Sequence, residues 1–253
     1  MTKFIYRLIL PIVNLKSLLT GVINFFRYPG FIYEFYKYKS LSNEKVYFSN
    51  VYPCLDDKKS ASQTGGGQYF YQDIWALSLI AESKVKKHVD VGSRIDGFVG
   101  QCSAICSVDL IEYRPIELGL SNLNVIEGSI LSLPYEDNSV DSLSCLHVIE
   151  HIGLGRYGDP VDTQGSNKSA KELSRVLSKG GALYLGVPIG RERVEFNAHR
   201  IFNPNSIVAM FSELELIEFK AIDDRGSFVE DVGLNDFDSA DYSCGLFMFK
   251  RKK

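Results

Sequence analysis

The chain has 253 residues, 45% apolar and 23% charged, which suits one large α/β domain or such a domain with an N-terminal extension. A net charge of −3 excludes a bulk electrostatic binder of nucleic acid. The five cysteines (Cys54, Cys102, Cys106, Cys145, Cys244) are odd in number and scattered, so they read as buried small hydrophobes in a reducing, cytoplasmic compartment rather than as a disulfide framework. Cys102 and Cys106 lie four apart with no second ligand pair, so no metal is expected.

Residues 1–60 form a candidate helical extension. Within residues 1–39, six basic side chains (Lys3, Arg7, Lys16, Arg27, Lys37, Lys39) face one acid, Glu34. Ile5, Leu8, Ile9 and Ile12 recur at helical spacing, and Leu15, Leu18, Leu19, Val22 and Phe26 continue an apolar face. Arg7, Pro11, Asn14 and Lys16 interrupt any run of the ~18 apolar residues needed to span a bilayer. No small-residue cleavage site follows to suggest a secretory signal. Two readings stay open: helices packed on the main domain, or a basic amphipathic segment on an anionic membrane surface.

The polar, glycine-rich stretch from Asp56 to Gln68, with Gly65-Gly66-Gly67, is the best boundary and reads as a linker or a lid. The main domain is taken as 61–253. Tyr69–Ala81 has helical spacing. A strand at Val89–Val91, the turn Gly92-Ser93-Arg94-Ile95-Asp96-Gly97 and a helical patch from Phe98 follow. Further strands are expected at Cys106–Glu112, Asn124–Glu127 and Asp141–Leu146. An amphipathic helix over Lys168–Ser178 is ended by Lys179-Gly180-Gly181, and an apolar strand over Ala182–Val187 is closed by Pro188. Leu214–Ile222 and Gly245–Lys250 alternate as a strand pair at one sheet edge. This order predicts an α/β fold: a Rossmann-like, doubly wound, mostly parallel sheet with an antiparallel edge strand.

In such sheets ligands bind beyond the carboxyl ends of the strands. Gly92 and Gly97 let backbone approach a ligand closely, and Asp90 can brace the turn or accept a bond from an ammonium group. An acid ending the second strand can hold both hydroxyls of a ribose; Glu112, 22 residues beyond Asp90, has the right interval, and Asp109 competes. The polar insertion from Gly153 to Asn167 emerges beside the same pocket. Its Arg156, Tyr157 and Asp159 suit a polyhydroxylated or anionic substrate, or the segment is a surface loop held by its own bonds. His199-Arg200 lies on the same face, where a histidine can take a proton and an arginine can hold an anion.

Val89-Asp90-Val91-Gly92, the strand-end acid, the Gly128–Pro134 turn, Asp141, Glu150-His151 and Arg175–Gly181 together resemble class I S-adenosylmethionine-dependent methyltransferases, over about residues 85–190. More narrowly, the Glu150–Pro160 segment, Phe196-Asn197-Ala198-His199-Arg200 and Tyr69–Asp73 look like a subfamily described as a domain of unknown function, some of whose members occur near surface-polysaccharide biosynthesis genes. The resemblance implies S-adenosylmethionine as cofactor. It implies that Asp90, Gly92 and Gly97, with Ser93 in the same turn, line the methionine half and that Glu112 holds the ribose. Ser129 and Ile130 would border the adenine, with Leu146 and His147 under the sulfonium. Two departures stand out: Arg94 and Asp96 occupy the usual glycine register, and Ser129 stands where an aspartate commonly meets the adenine amino group.

Transfer to a hydroxyl wants a general base, for which His151 and His199 are the candidates, with Glu150 orienting His151 or His151 serving a structural role. Arg156, Tyr157, Asp159, Asn197 and Arg200 are the candidate substrate contacts. The expected function is therefore O-methylation of a sugar or other small polar acceptor. The rivals are an inactive methyltransferase-like binding or scaffold protein, and a nicotinamide-dependent oxidoreductase, disfavoured by the spacing of the glycine turn.

Overall fold

The computed structural model describes residues 15–42, 47–55 and 67–252, which fall into two compact units divided between residues 64 and 65. The expected helical turn over Ile5–Ile12 and most of the glycine-rich stretch lie outside the described residues. In the first unit, helix α1 (Leu15–Leu41) contains Pro29, and a single 3-10 turn at Phe48–Asn50 brings the Phe48 ring edge-on to Phe35 at 5.8 Å.

The second unit is built on an eight-stranded sheet. Helix α2 (Gln68–Ser83) leads into β1 (Lys87–Val91), then a π-helical turn (Ile95–Val99) continued by α3 (Gly100–Cys102), β2 (Ser107–Glu112), β3 (Leu123–Glu127) and β4 (Val140–Leu146). Helix α4 (Gly165–Val176) runs straight into β5 (Leu177–Ile189). A hairpin of β6 (Arg193–Glu195) and β7 (His199–Ile201), helix α5 (Pro204–Met210), β8 (Leu214–Ile222), β9 (Phe228–Val229) and β10 (Ser243–Arg251) complete it. The strand order is β3-β2-β1-β4-β5-β10-β8-β9. Pairs from β3 through β5 are parallel, whereas β10 is antiparallel to both β5 and β8, and β9 to β8. Central strands β1, β2 and β4 are buried on both faces although each mixes apolar residues with polar ones, among them the buried His88, Asp90, Asp109, Ser142 and Ser144. One core layer joins the sheet to α4 and α5 through Leu173, Val176 and Ile207, and the other joins it to α2 and α3 through Trp75, Phe98 and Cys102.

Two expectations are corrected by the structure, the helix cap at Lys179-Gly180-Gly181 and the burial of all five cysteines. The Lys179-Gly180-Gly181 segment does not cap α4. It lies inside β5, where Gly180 takes φ +79° and the register against β4 shifts, so the residues bulge while the strand passes through Pro188 to Ile189. The expected antiparallel pair of Leu214–Ile222 with Gly245–Lys250 is present at one end of the sheet as β8 and β10, with the short β9 added outermost. Four cysteines are buried, but Cys54 is exposed.

The unit also buries His88 completely, its ring nitrogens 2.7 and 2.8 Å from the hydroxyls of Ser142 and Ser144. Burial drives its pKa down to about 3. The unfolded chain takes up this proton near pH 6.5, so His88 contributes stability above that pH, lost as pH falls toward 3. Asp90, raised to about 6 by burial, acts oppositely: its contribution is present at low pH and lost as pH rises through 6. His88→Asn is therefore expected to lower Tm at pH 7.5 by about 2–10 °C and to flatten the loss of Tm between pH 6.5 and 6, readable in a pH series of thermal melts.

Candidate functional site

The sheet changes winding direction between β1 and β4, and the candidate site sits beyond their carboxyl ends. A buried clamp holds this junction. Asp90 accepts bonds from the Ser93 amide (2.9 Å), the Ser93 hydroxyl (2.6 Å) and the Ser144 hydroxyl, while the Ser93 hydroxyl oxygen accepts from the Leu146 amide at 3.1 Å. Asp90 and Ser93 thus tie the turn after β1 to the end of β4, and both are spent on that task. Leu146 is likewise enclosed and contributes its amide to the clamp.

Beside the clamp opens a cavity of about 460 Å³, within the size range of small-molecule sites. Gly92, at φ +69°, forms part of its floor, and a Cβ there would stand 3.3 Å from Val148. Glu112, half-buried at the end of β2, presents its carboxylate to the cavity and accepts a bond from the Arg114 amide at 3.3 Å. Gly128, Ser129, Ile130 and Leu131 form the next wall. A Cβ on Gly128 would fall 2.7 Å from Ile111, and the Ser129 hydroxyl accepts from the Leu131 amide to shape the turn. Asp109 lies elsewhere: Lys87 (2.7 Å), Tyr135 (2.8 Å) and Asn124 (3.3 Å) surround it. Burial pushes its carboxyl up, but these partners outweigh it and hold it below its usual value. Gly97 is also off the cavity, inside the π-helical turn, where its missing side chain admits the Asp73 carboxylate.

The segment after β4 gathers a histidine–glutamate cluster. His147 lines the cavity at φ 58°, with Nδ1 2.9 Å from Glu150 Oε1 and Nε2 3.5 Å from the Cys244 sulfur. Burial disfavours its charged form, yet Cys244 and the Glu150 carboxylate prevail and hold it well above the usual imidazole value. Glu150 is buried; its Oε1 also stands 3.7 Å from His151 Nε2, and its Oε2 has no hydrogen-bond partner among the described residues.

His151, on the cavity wall, places Nδ1 2.7 Å from the Ala198 carbonyl oxygen at the β6–β7 turn. A carbonyl only accepts, so Nδ1 carries the proton and Nε2 keeps its lone pair. Burial, only partly opposed by the Glu150 carboxylate, lowers the His151 pKa below the ordinary imidazole value and so favours the neutral ring at pH 7. His199 lies 6.4 Å from His151 between ring centres and 5.0 Å from Tyr242; its enclosed Nε2 has no hydrogen-bond partner among the described residues but stands 3.7 Å from Glu195 Oε2. It does not line the cavity, and burial lowers its pKa as well.

The insertion closes on itself. Asp159 accepts from the amides of Gly153 (2.7 Å) and Tyr157 (3.3 Å), and Gly153 takes φ +80° where a Cβ would strike the Asp162 carbonyl. Arg200 donates to the Ile152 carbonyl at 2.7 Å, and Arg156 donates to Ala198 at 2.9 Å while covering the Tyr157 ring. Tyr157 and Asp159 line the cavity, whereas Asn197 is exposed at the hairpin turn. Arg200 and the Asp159 carboxylate therefore hold the loop, and their polar atoms are engaged by backbone.

Residues named in the sequence without a site role complete the surroundings. Tyr69 packs its ring 5.1 Å from that of His147 and under the Arg94 guanidinium. Gln72 and Asp73 are buried on the face of α2 otherwise made by Trp75, Ala76 and Ile80; Gln72 Oε1 lies against Gly186 without a partner among the described residues. A polar pair on the apolar stripe of a helix was the available signal. Among the described residues no His, Cys, Asp and Glu side chains converge as a metal-ligating group.

Residues 119–231 match a family model described as Caenorhabditis protein of unknown function, DUF268. No curated protein matches the chain by sequence. Among solved structures, a putative sarcosine dimethylglycine methyltransferase from Galdieria sulphuraria aligns with TM-score 0.54 at 16% identity, over 72% of this chain and 86% of that one. The N-methyltransferase NodS from Bradyrhizobium japonicum, in complex with S-adenosyl-L-homocysteine, aligns with TM-score 0.54 at 14% identity, over 74% and 89%. The [4+2]-cyclase SpnF aligns with TM-score 0.53 at 15% identity, over 71% and 81%. One fold thus carries different chemistries, and the likeness speaks to architecture alone. The chain has the Rossmann-like methyltransferase fold.

Proposed function

We propose that this protein is a class I S-adenosylmethionine-dependent methyltransferase that methylates a hydroxyl of a small polar acceptor, a sugar above all. One observation carries the reading: a neutral histidine, His151, with its proton fixed on Nδ1, shares a cavity with the ribose-type acid Glu112. The cavity fits the cofactor in its donors as well as its size. Glu112 offers a carboxylate to two vicinal hydroxyls, the Gly128–Leu131 wall offers an edge for a planar base, and Gly92 leaves room that a Cβ would fill. Tyr69 packs on His147 and carries the Arg94 guanidinium over its ring. The Gln72 oxygen, without a hydrogen-bond partner among the described residues, lies against Gly186, whose carbonyl accepts from the His147 amide; the amino-acid end would lie on this side.

The bound cofactor supplies an already activated methyl group on a sulfonium. What remains for the chain is alignment, water exclusion and one proton. His151 Nε2 accepts the proton of the acceptor hydroxyl, and the Glu150 carboxylate 3.7 Å away stabilises the imidazolium that forms. The Ala198 carbonyl holds the ring orientation throughout. Tyr157, on the wall of the cavity, gives the acceptor an aromatic face and a hydroxyl, groups suited to a sugar ring. Isothermal calorimetry with S-adenosylhomocysteine tests the reading: one site per chain with micromolar affinity is expected, and no heat at millimolar ligand sinks it.

A further inference from the structure

We propose that α1 is an interfacial anchor that lies along the surface of an anionic phospholipid bilayer. The polarity of its first half is inverted relative to a helix of a water-soluble domain, whereas beyond Pro29 the more enclosed residues are the apolar Phe31, Ile32 and Phe35. The more enclosed face of its first half carries Thr20 and Asn24, while Leu19, Val22, Ile23 and Phe26, at spacings of three, four and seven, are all exposed together with Phe25. Phe25 and Phe26 are 73% and 75% exposed, although a helix normally buries its apolar stripe. Along the same stripe, beyond Pro29, the exposed residues become Tyr33 and Lys37, with Tyr36 beside them. Apolar groups at one end and tyrosine with lysine at the other match a helix whose N-terminal half dips into the acyl boundary while its C-terminal half stays among headgroups.

Charge selects the occupant. Residues 1–39 hold six basic side chains and one acid, Glu34, in a chain whose net charge is −3. Lys37 lies on this stripe and Arg27 flanks it, so a second copy docked face to face would add basic charge to basic charge, which is repulsive. An anionic lipid surface attracts every one of them. No helix among the described residues is long and apolar enough to cross a membrane, so the contact is parallel to the surface.

The test is co-sedimentation of the full chain with phosphatidylcholine vesicles, with and without phosphatidylserine. The chain should pellet with the phosphatidylserine vesicles and much less with phosphatidylcholine alone, and salt should release it. Phe25→Asp/Phe26→Asp should abolish pelleting, and Lys37→Ala should weaken it by about fivefold. Thermal unfolding followed through the single tryptophan, Trp75, buried in α2, reports that the second unit folds as in the parent, and helical ellipticity of the variants with vesicles present reports that α1 still forms. Wild-type protein that stays in the supernatant with both vesicles overturns the proposal. So does pelleting that survives the double aspartate variant, or a concentration-dependent dimer that the variant dissolves in the absence of any lipid binding.

Discussion

His151→Ala is expected to lower kcat for methyl transfer by about 10²–10⁴-fold while leaving S-adenosylhomocysteine affinity unchanged. The proposed function divides the labour of the cavity: Glu112 and the Gly128–Leu131 wall would hold the cofactor, and His151, on the same cavity, would serve the acceptor. Turnover is best read as S-adenosylhomocysteine released against a panel of free and nucleotide-linked sugars, with affinity read by calorimetry. His199→Ala serves as the contrast, since His199 stands behind His151 and off the cavity wall; its loss should be the smaller of the two. The pH profile gives a further readout. Because burial holds His151 below the ordinary imidazole value, activity should already be near its plateau at pH 7 and fall only on acidification. Glu150→Gln removes the carboxylate that opposes this lowering, so the acid limb should move to still lower pH while the plateau drops. Equal losses for both histidine variants, with cofactor affinity lost alongside, would show that the cluster is structural.

The second large effect is expected at Glu112. Glu112→Ala should weaken S-adenosylhomocysteine binding by about 10- to 100-fold, the worth of one or two hydrogen bonds to a charged acceptor. Asp109→Ala should leave that affinity untouched and lower Tm instead, because it strands Lys87, Tyr135 and Asn124 around a lost partner. The two acids lie three residues apart on one strand, and the sequence left both open. Matched calorimetry and melting curves on the two variants separate them cleanly, and weakened binding in Asp109→Ala would refute the placement of the cofactor.

The sheet was legible because its strands are local objects. Short runs such as Val89–Val91 and Asp141–Leu146 are covered on both faces, and the helices between them supply the cover. Glu112 was legible for a related reason, since strand length and a crossover helix set its interval from Asp90. The rest depended on contacts between distant segments. Nothing in Glu150-His151 reveals that Ala198, 47 residues on, presents its carbonyl to the ring. Nor does Asp90 reveal that its carboxylate is already committed to Ser93 and Ser144. Arg156, Asp159 and Arg200 looked like ligand contacts because their side chains are charged and their segment is polar, yet a glycine-rich loop has its own backbone groups to satisfy. The Lys-Gly-Gly segment misled for another reason: a glycine with positive φ serves a strand bulge as readily as a helix end.

The Ala198 carbonyl has one more consequence. It belongs to the main chain, so every residue type that fits the hairpin turn offers the same oxygen to His151 and to Arg156. The choice of tautomer is thereby insulated from point mutation at the position that makes it. Sequence drift around the turn could remodel what the cavity accepts without disturbing where the imidazole keeps its proton. Only a change in the path of the hairpin itself, which is anchored to the end of β5 through the Phe202 amide and the Pro188 carbonyl, would release it.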